Sequence, residues 1–114
     1  MRDASANERH WTLSEPTVVV AIKTNCDGCR SFYSGSLDAL QAWPTLLIAR
    51  DDDEVQQFAN ARHPVYVASE LWEALDVRWP PLYVLLGAQP GRILCEGVAF
   101  SPEQVARELI ESGV

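Results

Sequence analysis

Residues 17–30 read Thr-Val-Val-Val-Ala-Ile-Lys-Thr-Asn-Cys-Asp-Gly-Cys-Arg, and this stretch decides the fold. Its first six residues form an unbroken apolar or β-branched run, which is typical of a strand covered on both faces of a sheet. The cysteines Cys26 and Cys29 follow after a short polar link. Apolar residues at 37, 40 and 43 then recur at helical spacing, so we predict a helix from about 27 to 42. A break is expected at Ser34-Gly35-Ser36.

The remaining sequence alternates between strand and helix patterns. The predicted elements are a strand over 44–49, a helix starting at the acids 51–54, an extended piece over 64–67, a helix over 70–75 capped by Ser69, strands over 82–86 and 93–98, and a helix opened by Ser101. Strands separated by helices predict parallel pairing, and the turn at 88–91 predicts an antiparallel hairpin. We expect one domain over 16–114, preceded by a flexible arm over 1–15.

Composition excludes several classes of function. The chain has 114 residues, of which 47% are apolar, so it can bury a single hydrophobic core. Its net charge of −7 argues against nucleic acid or an anionic membrane surface as a partner. No apolar stretch is long enough to span a membrane, and residues 1–15 lack the layout of a secretory signal. If the chain is full length, we expect a cytoplasmic protein.

The spacing of the two cysteines favours redox chemistry. Free N–H groups at a helix start stabilise a thiolate, so Cys26 is the candidate nucleophile. Two intervening residues place Cys29 one turn further, within reach of a mixed disulfide on Cys26. Arg30 adds positive charge near the helix start, whereas the carboxylate of Asp27 opposes the thiolate. We hypothesise that Asp27 makes the cysteine pair more reducing.

Two other interpretations of the cysteine pair remain open. The pair could supply half of a zinc site, or it could be inert. A structural zinc site needs four ligands, and only Cys95, His10 and His63 remain, without the paired spacing of a second ligand arm. Cys95 lies in a predicted strand and is interpreted as a small core residue. We therefore expect no metal and no cofactor beyond a Cys26–Cys29 disulfide.

Two motifs together carry a family resemblance. The strand–Cys-x-x-Cys–Arg–helix opening and the later stretch 75–85, Leu-Asp-Val-Arg-Trp-Pro-Pro-Leu-Tyr-Val-Leu, resemble the thioredoxin superfamily. The layout between them is nearest to its TlpA/ResA-like branch, and the resemblance covers about residues 17–112. It implies an α/β thioredoxin-like fold, with a central mixed sheet of about four strands and helices on both faces. It also implies that Pro81 is the family's cis-proline beside the cysteines, with Trp79 at the border of the site.

The sequence departs from that family at three positions. Asn25 replaces the tryptophan that usually precedes the first cysteine, and Val20 replaces the buried acid. Pro80 precedes the expected cis-proline, where family members grip substrate through a main-chain N–H that proline lacks. The Pro80 departure implies a dedicated partner rather than a general one, and the missing buried acid argues against efficient thioredoxin-like turnover.

The sequence therefore predicts a thiol–disulfide oxidoreductase, working as a reductant of a protein thiol or disulfide substrate and supplied by an upstream electron donor. The alternative is a thioredoxin-fold binding or adaptor protein with little or no redox turnover. We expect a monomer. The predicted catalytic residues are Cys26 and Cys29, and the predicted motif and substrate-positioning residues are Asn25, Asp27, Gly28, Arg30, Trp79, Pro80 and Pro81.

Overall fold

A computed structural model describes residues 15–88 and 92–113. Its elements in chain order are β1 (Thr17–Ala21), α1 (Asp27–Tyr33), a 3₁₀ turn (Asp38–Leu40), β2 (Thr45–Ala49), α2 (Asp52–Gln56), β3 (Val65–Val67), α3 (Ser69–Ala74), β4 (Leu82–Leu86), β5 (Ile93–Val98) and α4 (Pro102–Glu111). None of the described helices is both long and apolar enough to cross a membrane. The arm predicted over 1–15, apart from its last residue, and the turn residues 89–91 lie outside the described residues.

The strands form one mixed sheet in the order β3-β2-β1-β4-β5. Strand β1 pairs parallel with β2 and antiparallel with β4, and β4 pairs antiparallel with β5. The predicted fold class and hairpin pairing are confirmed. The sheet has five strands rather than about four, because the short piece Val65–Val67 pairs parallel with β2 instead of running free.

The central strand β1 is buried on both faces, as its unbroken apolar run predicts. Val18 and Val20 face a core completed by α1, α2 and α4, whereas Val19 and Ala21 face a second core that includes Trp72 of α3. Helices therefore cover both faces of the sheet. Burying an aliphatic side chain of this kind stabilises the fold by roughly 1.5–3 kcal/mol.

The end of α1 and the start of α3 can be compared with the break and the cap that the sequence predicts. Helix α1 ends at Tyr33 and the chain resumes as a 3₁₀ turn at Asp38, so the predicted break is confirmed. The predicted cap at Ser69 is wrong: Ala68 is the N-cap residue of α3. Ser69 is the first helical residue, and its hydroxyl donates to the Arg50 carbonyl at 2.6 Å, so it links α3 to the end of β2 instead.

The strand register brings four chain segments to one edge of the sheet. Ala21 at the end of β1 lies opposite Ile48 near the end of β2 and opposite Leu82 at the start of β4. Leu82 in turn lies opposite Val98 at the end of β5. The segments that follow β1, β2 and β5 and the segment that precedes β4 therefore meet at this edge, where the two cysteines lie.

Candidate functional site

Cys26 is the N-cap residue of α1, and its sulfur takes the place of a capping oxygen. It has extended backbone angles, φ −131° and ψ 108°, and its Sγ accepts a hydrogen bond from the Cys29 main-chain N–H at 3.3 Å. Cys26 and Cys29 form a disulfide with their Cα atoms 5.3 Å apart. This helix-start N–H, which also donates to the Cys26 carbonyl oxygen at 3.1 Å, favours the anionic form of the Cys26 sulfur once the disulfide is reduced.

The two sulfurs differ in access. Cys26 is partly exposed, whereas Cys29 has 0% exposure and belongs to the core beneath α1. A protein partner can therefore reach Cys26 and cannot reach Cys29 directly. This asymmetry matches the predicted roles of an attacking first cysteine and a resolving second one.

The segment that precedes β4 packs against the cysteine pair. The peptide bond between Pro80 and Pro81 is cis. The Pro80 carbonyl oxygen lies 3.8 Å from the Cys26 Sγ. On the other side, a Cβ added to Gly28 would stand 3.2 Å from Pro81 Cγ, so Gly28 and Pro81 are in close contact. The two motifs that lie far apart in the sequence meet in the structure.

Hydrogen bonds to helix α2 anchor the loop that precedes Cys26. Thr24 donates to Glu54 Oε2 through both its main-chain N–H and its hydroxyl, each at 3.1 Å. Between this anchor and Cys26 stands Asn25, whose φ of 54° lies in the left-handed region that asparagine tolerates better than most residues. Sequence reasoning placed Glu54 only in a solvated helix start and missed this contact.

Large apolar side chains flank the site. Trp79 is 81% exposed and lies directly before Pro80, as expected for a border residue. Phe100 is 69% exposed and follows Ala99, whose N–H donates to the Pro81 carbonyl at 3.0 Å. Sequence reasoning missed Phe100, although its position just after the last strand was a usable signal once the hairpin was assigned.

A pocket of about 210 Å³ opens beside Pro80. Its lining residues come from the ends of β1 and β2, from α2 and α3, and from the segment before β4: Lys23, Arg50, Glu54, Trp72, Val77, Arg78 and Pro80. The pocket therefore shares a residue with the cysteine site, since Pro80 lies against both. Three of these side chains are cationic and one is a carboxylate.

Two further predicted site residues, Asp27 and Arg30, are exposed on α1 near the disulfide. Val20 is fully buried and pairs with Leu47 and Tyr83, so the position of the family's buried acid is apolar. Among the residues that the structure describes, no group of three or more His, Cys, Asp or Glu side chains converges as a metal site.

Cys95 lies away from the disulfide. It pairs with Leu85 at mid-strand and is half-buried, with its Sγ 3.8 Å from the Tyr83 hydroxyl. That hydroxyl donates to Glu108 Oε1 at 2.7 Å. Burial raises the pKa of Tyr83, and the hydrogen bonds from Tyr83 and Gln104 lower the pKa of Glu108. This group ties α4 to the sheet.

His63 does not reach the site. His63 lies at the opposite end of α1, where its Nε2 is 2.8 Å from the Gly35 carbonyl oxygen. His10 lies outside the described residues.

Comparisons with solved structures find thioredoxin-fold proteins. The N-terminal domain of PilB from N. meningitidis is 15% identical with a TM-score of 0.71, covering 97% of this chain and 90% of that one. The exposed lipoprotein thioredoxin Etrx1 from Streptococcus pneumoniae is 14% identical with a TM-score of 0.69, covering 97% and 96%. A secreted disulfide oxidoreductase from Mycobacterium tuberculosis is 15% identical with a TM-score of 0.62, covering 96% and 92%.

No protein-family model matches the chain, and a comparison with curated protein sequences finds no match. The structural likeness spans nearly the whole length of both partners in each case. The resemblance to the thioredoxin superfamily is therefore confirmed at the level of the fold, as is the pairing of Cys26 with Cys29 in a Cys-x-x-Cys motif.

Proposed function

We propose that this protein is a thiol–disulfide oxidoreductase that reduces a protein partner through Cys26 and Cys29. One observation carries the proposal: the Cys29 N–H lies 3.3 Å from the Cys26 sulfur at the start of α1. The buried Cys29 behind a partly exposed Cys26 supports the same order of attack. The proposal is also consistent with the structural neighbours, whose similarity to this chain establishes a shared fold.

The reaction is two successive thiol–disulfide exchanges. The Cys26 thiolate attacks one sulfur of the substrate disulfide, forms a mixed disulfide and expels the other substrate sulfur as a thiolate. The Cys29 thiol then attacks the Cys26 sulfur, which re-forms the Cys26–Cys29 bond and releases the second substrate sulfur. That departing thiolate takes the Cys29 proton. Two electrons pass to the substrate, and an upstream dithiol then supplies two more, reducing the Cys26–Cys29 disulfide while it is itself oxidised to a disulfide.

The apolar surroundings of Cys29 bear on the second step. Val20, which stands where the family's acid would be, is fully buried. Because no acid stands there to accept the Cys29 proton, we expect the resolving step to be slow and to depend on the basicity of the departing thiolate. The proposal therefore includes a dedicated substrate rather than rapid general turnover.

The surface around Cys26 supports a protein substrate. Trp79 and Phe100 are exposed; Trp79 directly precedes Pro80, and Phe100 follows Ala99, which is hydrogen-bonded to Pro81. Aromatic side chains are favoured anchors in protein interfaces. Pro80 offers a carbonyl but no N–H to an approaching main chain. A docked partner would therefore rely on apolar contacts with Trp79 and Phe100 more than on paired main-chain hydrogen bonds.

Insulin reduction with dithiothreitol as donor tests the proposal. The wild-type protein should accelerate the reaction, and Cys26→Ser should abolish the acceleration. Cys29→Ser should instead accumulate a stable mixed disulfide with the substrate, since the resolving sulfur is gone. Cys95→Ser is the matched control and should retain the wild-type rate, because Cys95 lies at mid-strand away from the site. A wild-type rate equal to that of Cys26→Ser would refute the proposal.

A second candidate is an adaptor that keeps the fold and binds partners without turnover. The buried Val20 and the missing N–H of Pro80 favour it, because both remove groups that assist exchange in related proteins. Capture of partners by Cys29→Ser, compared with capture by a variant in which both cysteines are replaced, separates the two functions. An adaptor would capture partners equally well when both cysteines are replaced, whereas an oxidoreductase would lose covalent capture with Cys26.

A further inference from the structure

The pocket beside Pro80 has a charge opposite to that of the whole molecule. The chain carries a net charge of −7, yet the pocket is lined by Lys23, Arg50 and Arg78 against the single carboxylate of Glu54. Such a local reversal focuses the field on anionic groups that enter the pocket. The wider surface would repel them. The pocket is therefore the part of this surface where an anionic group would be favoured.

Two of the three cations are available to a ligand. Glu54 accepts both hydrogen bonds of Thr24, and Arg78 pairs with Asp76 at 3.2 Å. Among the described residues, no carboxylate lies within ion-pairing distance of the side chains of Lys23 or Arg50. Lys23 and Arg50 follow β1 and β2 at the same edge of the sheet, and both line the pocket.

The rest of the lining is apolar and fits a side chain with an apolar stem. Trp72, Val77 and Pro80 are the apolar residues of this lining. The volume of about 210 Å³ is below the usual range for drug-sized ligands and cofactors, roughly 300–1,000 Å³. It is large enough for a carboxylate-bearing side chain such as Glu or Asp.

The pocket and the redox sulfur share Pro80. The Pro80 carbonyl oxygen lies 3.8 Å from Cys26 Sγ, and Pro80 is also one of the residues that line the pocket. A side chain within a few residues of the cysteine that Cys26 attacks can therefore reach the pocket, since an extended chain spans about 3.3 Å per residue.

We infer that the pocket binds an acidic side chain of the protein substrate, close in sequence to the substrate cysteine, with Lys23 and Arg50 as its cationic partners. This inference rests on the proposed function, since it specifies which protein disulfides that site reduces. Lys23 and Arg50 are specificity-determining residues and take no part in the exchange of sulfur atoms.

Two matched peptides test the inference. Each has one cysteine activated as a 2-pyridyl disulfide, flanked by glutamates in one peptide and by glutamines in the other. Attack by Cys26 on the peptide sulfur expels neutral 2-thiopyridone, which is followed by its absorbance, and leaves the peptide on Cys26. Rates are measured with the reduced wild-type protein at one fixed, low ionic strength, because screening weakens these contacts.

We expect the wild-type protein to react faster with the acidic peptide. Arg50→Gln and Lys23→Gln should each lower that preference by about two- to fivefold, the range for a solvent-exposed ion pair. Their rates with the glutamine peptide should equal the wild-type rate. The control is Arg62→Gln, which removes an exposed cation before β3, at the opposite end of the sheet from the pocket.

The outcomes distinguish this inference from the proposed function. Equal wild-type rates with both peptides overturn the inference and leave the oxidoreductase intact. An acidic preference that survives both Arg50→Gln and Lys23→Gln also overturns it, as does a loss that Arg62→Gln reproduces. If neither peptide reacts faster with the wild-type protein than with Cys26→Ser, the proposed function fails and the inference fails with it.

Discussion

Thr24 gives both of its hydrogen-bond donors, the main-chain N–H and the hydroxyl, to one carboxylate oxygen of Glu54, each at 3.1 Å. This contact fixes the loop two residues before Cys26 to helix α2. Glu54→Ala should lower the free energy of unfolding by about 1–2 kcal/mol, since it leaves a part-buried N–H without its acceptor. The loosened loop should also slow alkylation of reduced Cys26 several-fold.

Asp53→Ala is the matched control for Glu54→Ala. It removes an exposed acid from the same first turn of α2, so it alters the helix-start charge equally. Glu54→Gln should fall between wild type and Glu54→Ala, because its amide oxygen can still accept from Thr24. Equal alkylation rates for Glu54→Ala and Asp53→Ala would contradict the positioning role of Glu54.

Asp27 should make the disulfide harder to reduce. Its exposed carboxylate stands next to Cys26 at the start of α1 and disfavours a thiolate there, so it destabilises the reduced form. Asp27→Asn should raise the reduction potential by roughly 5–20 mV, measured by equilibration with glutathione. Asp38→Asn, an exposed acid of the 3₁₀ turn, should leave it unchanged. An unchanged or lower potential for Asp27→Asn would disprove the hypothesis.

Gly28 should matter for activity more than for stability. A Cβ at Gly28 would stand 3.2 Å from Pro81 Cγ, so Gly28→Ala requires the Pro81 ring to shift by a few tenths of an ångström. Alanine's better helix propensity offsets part of the packing cost, so the free energy of unfolding should change by less than about 1 kcal/mol. The insulin reduction rate should fall several-fold.

Gly87→Ala provides the comparison for Gly28→Ala. Gly87 follows β4 at the end of the sheet away from the disulfide, and its added Cβ would make ordinary contacts at 3.5 Å. Its insulin reduction rate should match wild type. If Gly28→Ala also matches wild type, the contact with Pro81 does not position the site.

The Tyr83–Glu108 hydrogen bond should make stability depend on pH in the acid range. Hydrogen bonds from Tyr83 and Gln104 lower the pKa of Glu108 in the folded protein. A lowered folded pKa adds stability above the unfolded value, near 4.5, and that stability is lost as the pH falls through the folded pKa. Tyr83→Phe should therefore cost about 1 kcal/mol at pH 7 and less at pH 3, measured by urea unfolding. A constant cost between these pH values would count against the ionised Glu108 as acceptor.

The local signals in the sequence predicted most of the scaffold and the two cysteines. The unbroken apolar run before the motif predicted a doubly covered strand, and β1 is the centre of the sheet. The Ser34-Gly35-Ser36 interruption predicted the end of α1, where a Cβ on Gly35 would stand 2.5 Å from the Ser31 carbonyl. Such features depend on neighbours within a turn or a strand, which the sequence contains directly.

Tertiary structure decided the remainder, because it depends on residues far apart in the chain. The sequence could not tell that 65–67 pairs with β2, since a three-residue strand has too short a pattern to specify its partner. Nor could it tell that Glu54 holds Thr24, or that Arg50 and Lys23 face one pocket beside Pro80. The cysteine pair could be read from four consecutive residues. Its surroundings come from segments that are far apart in the chain and meet only when the strands pair, which a short local pattern does not specify.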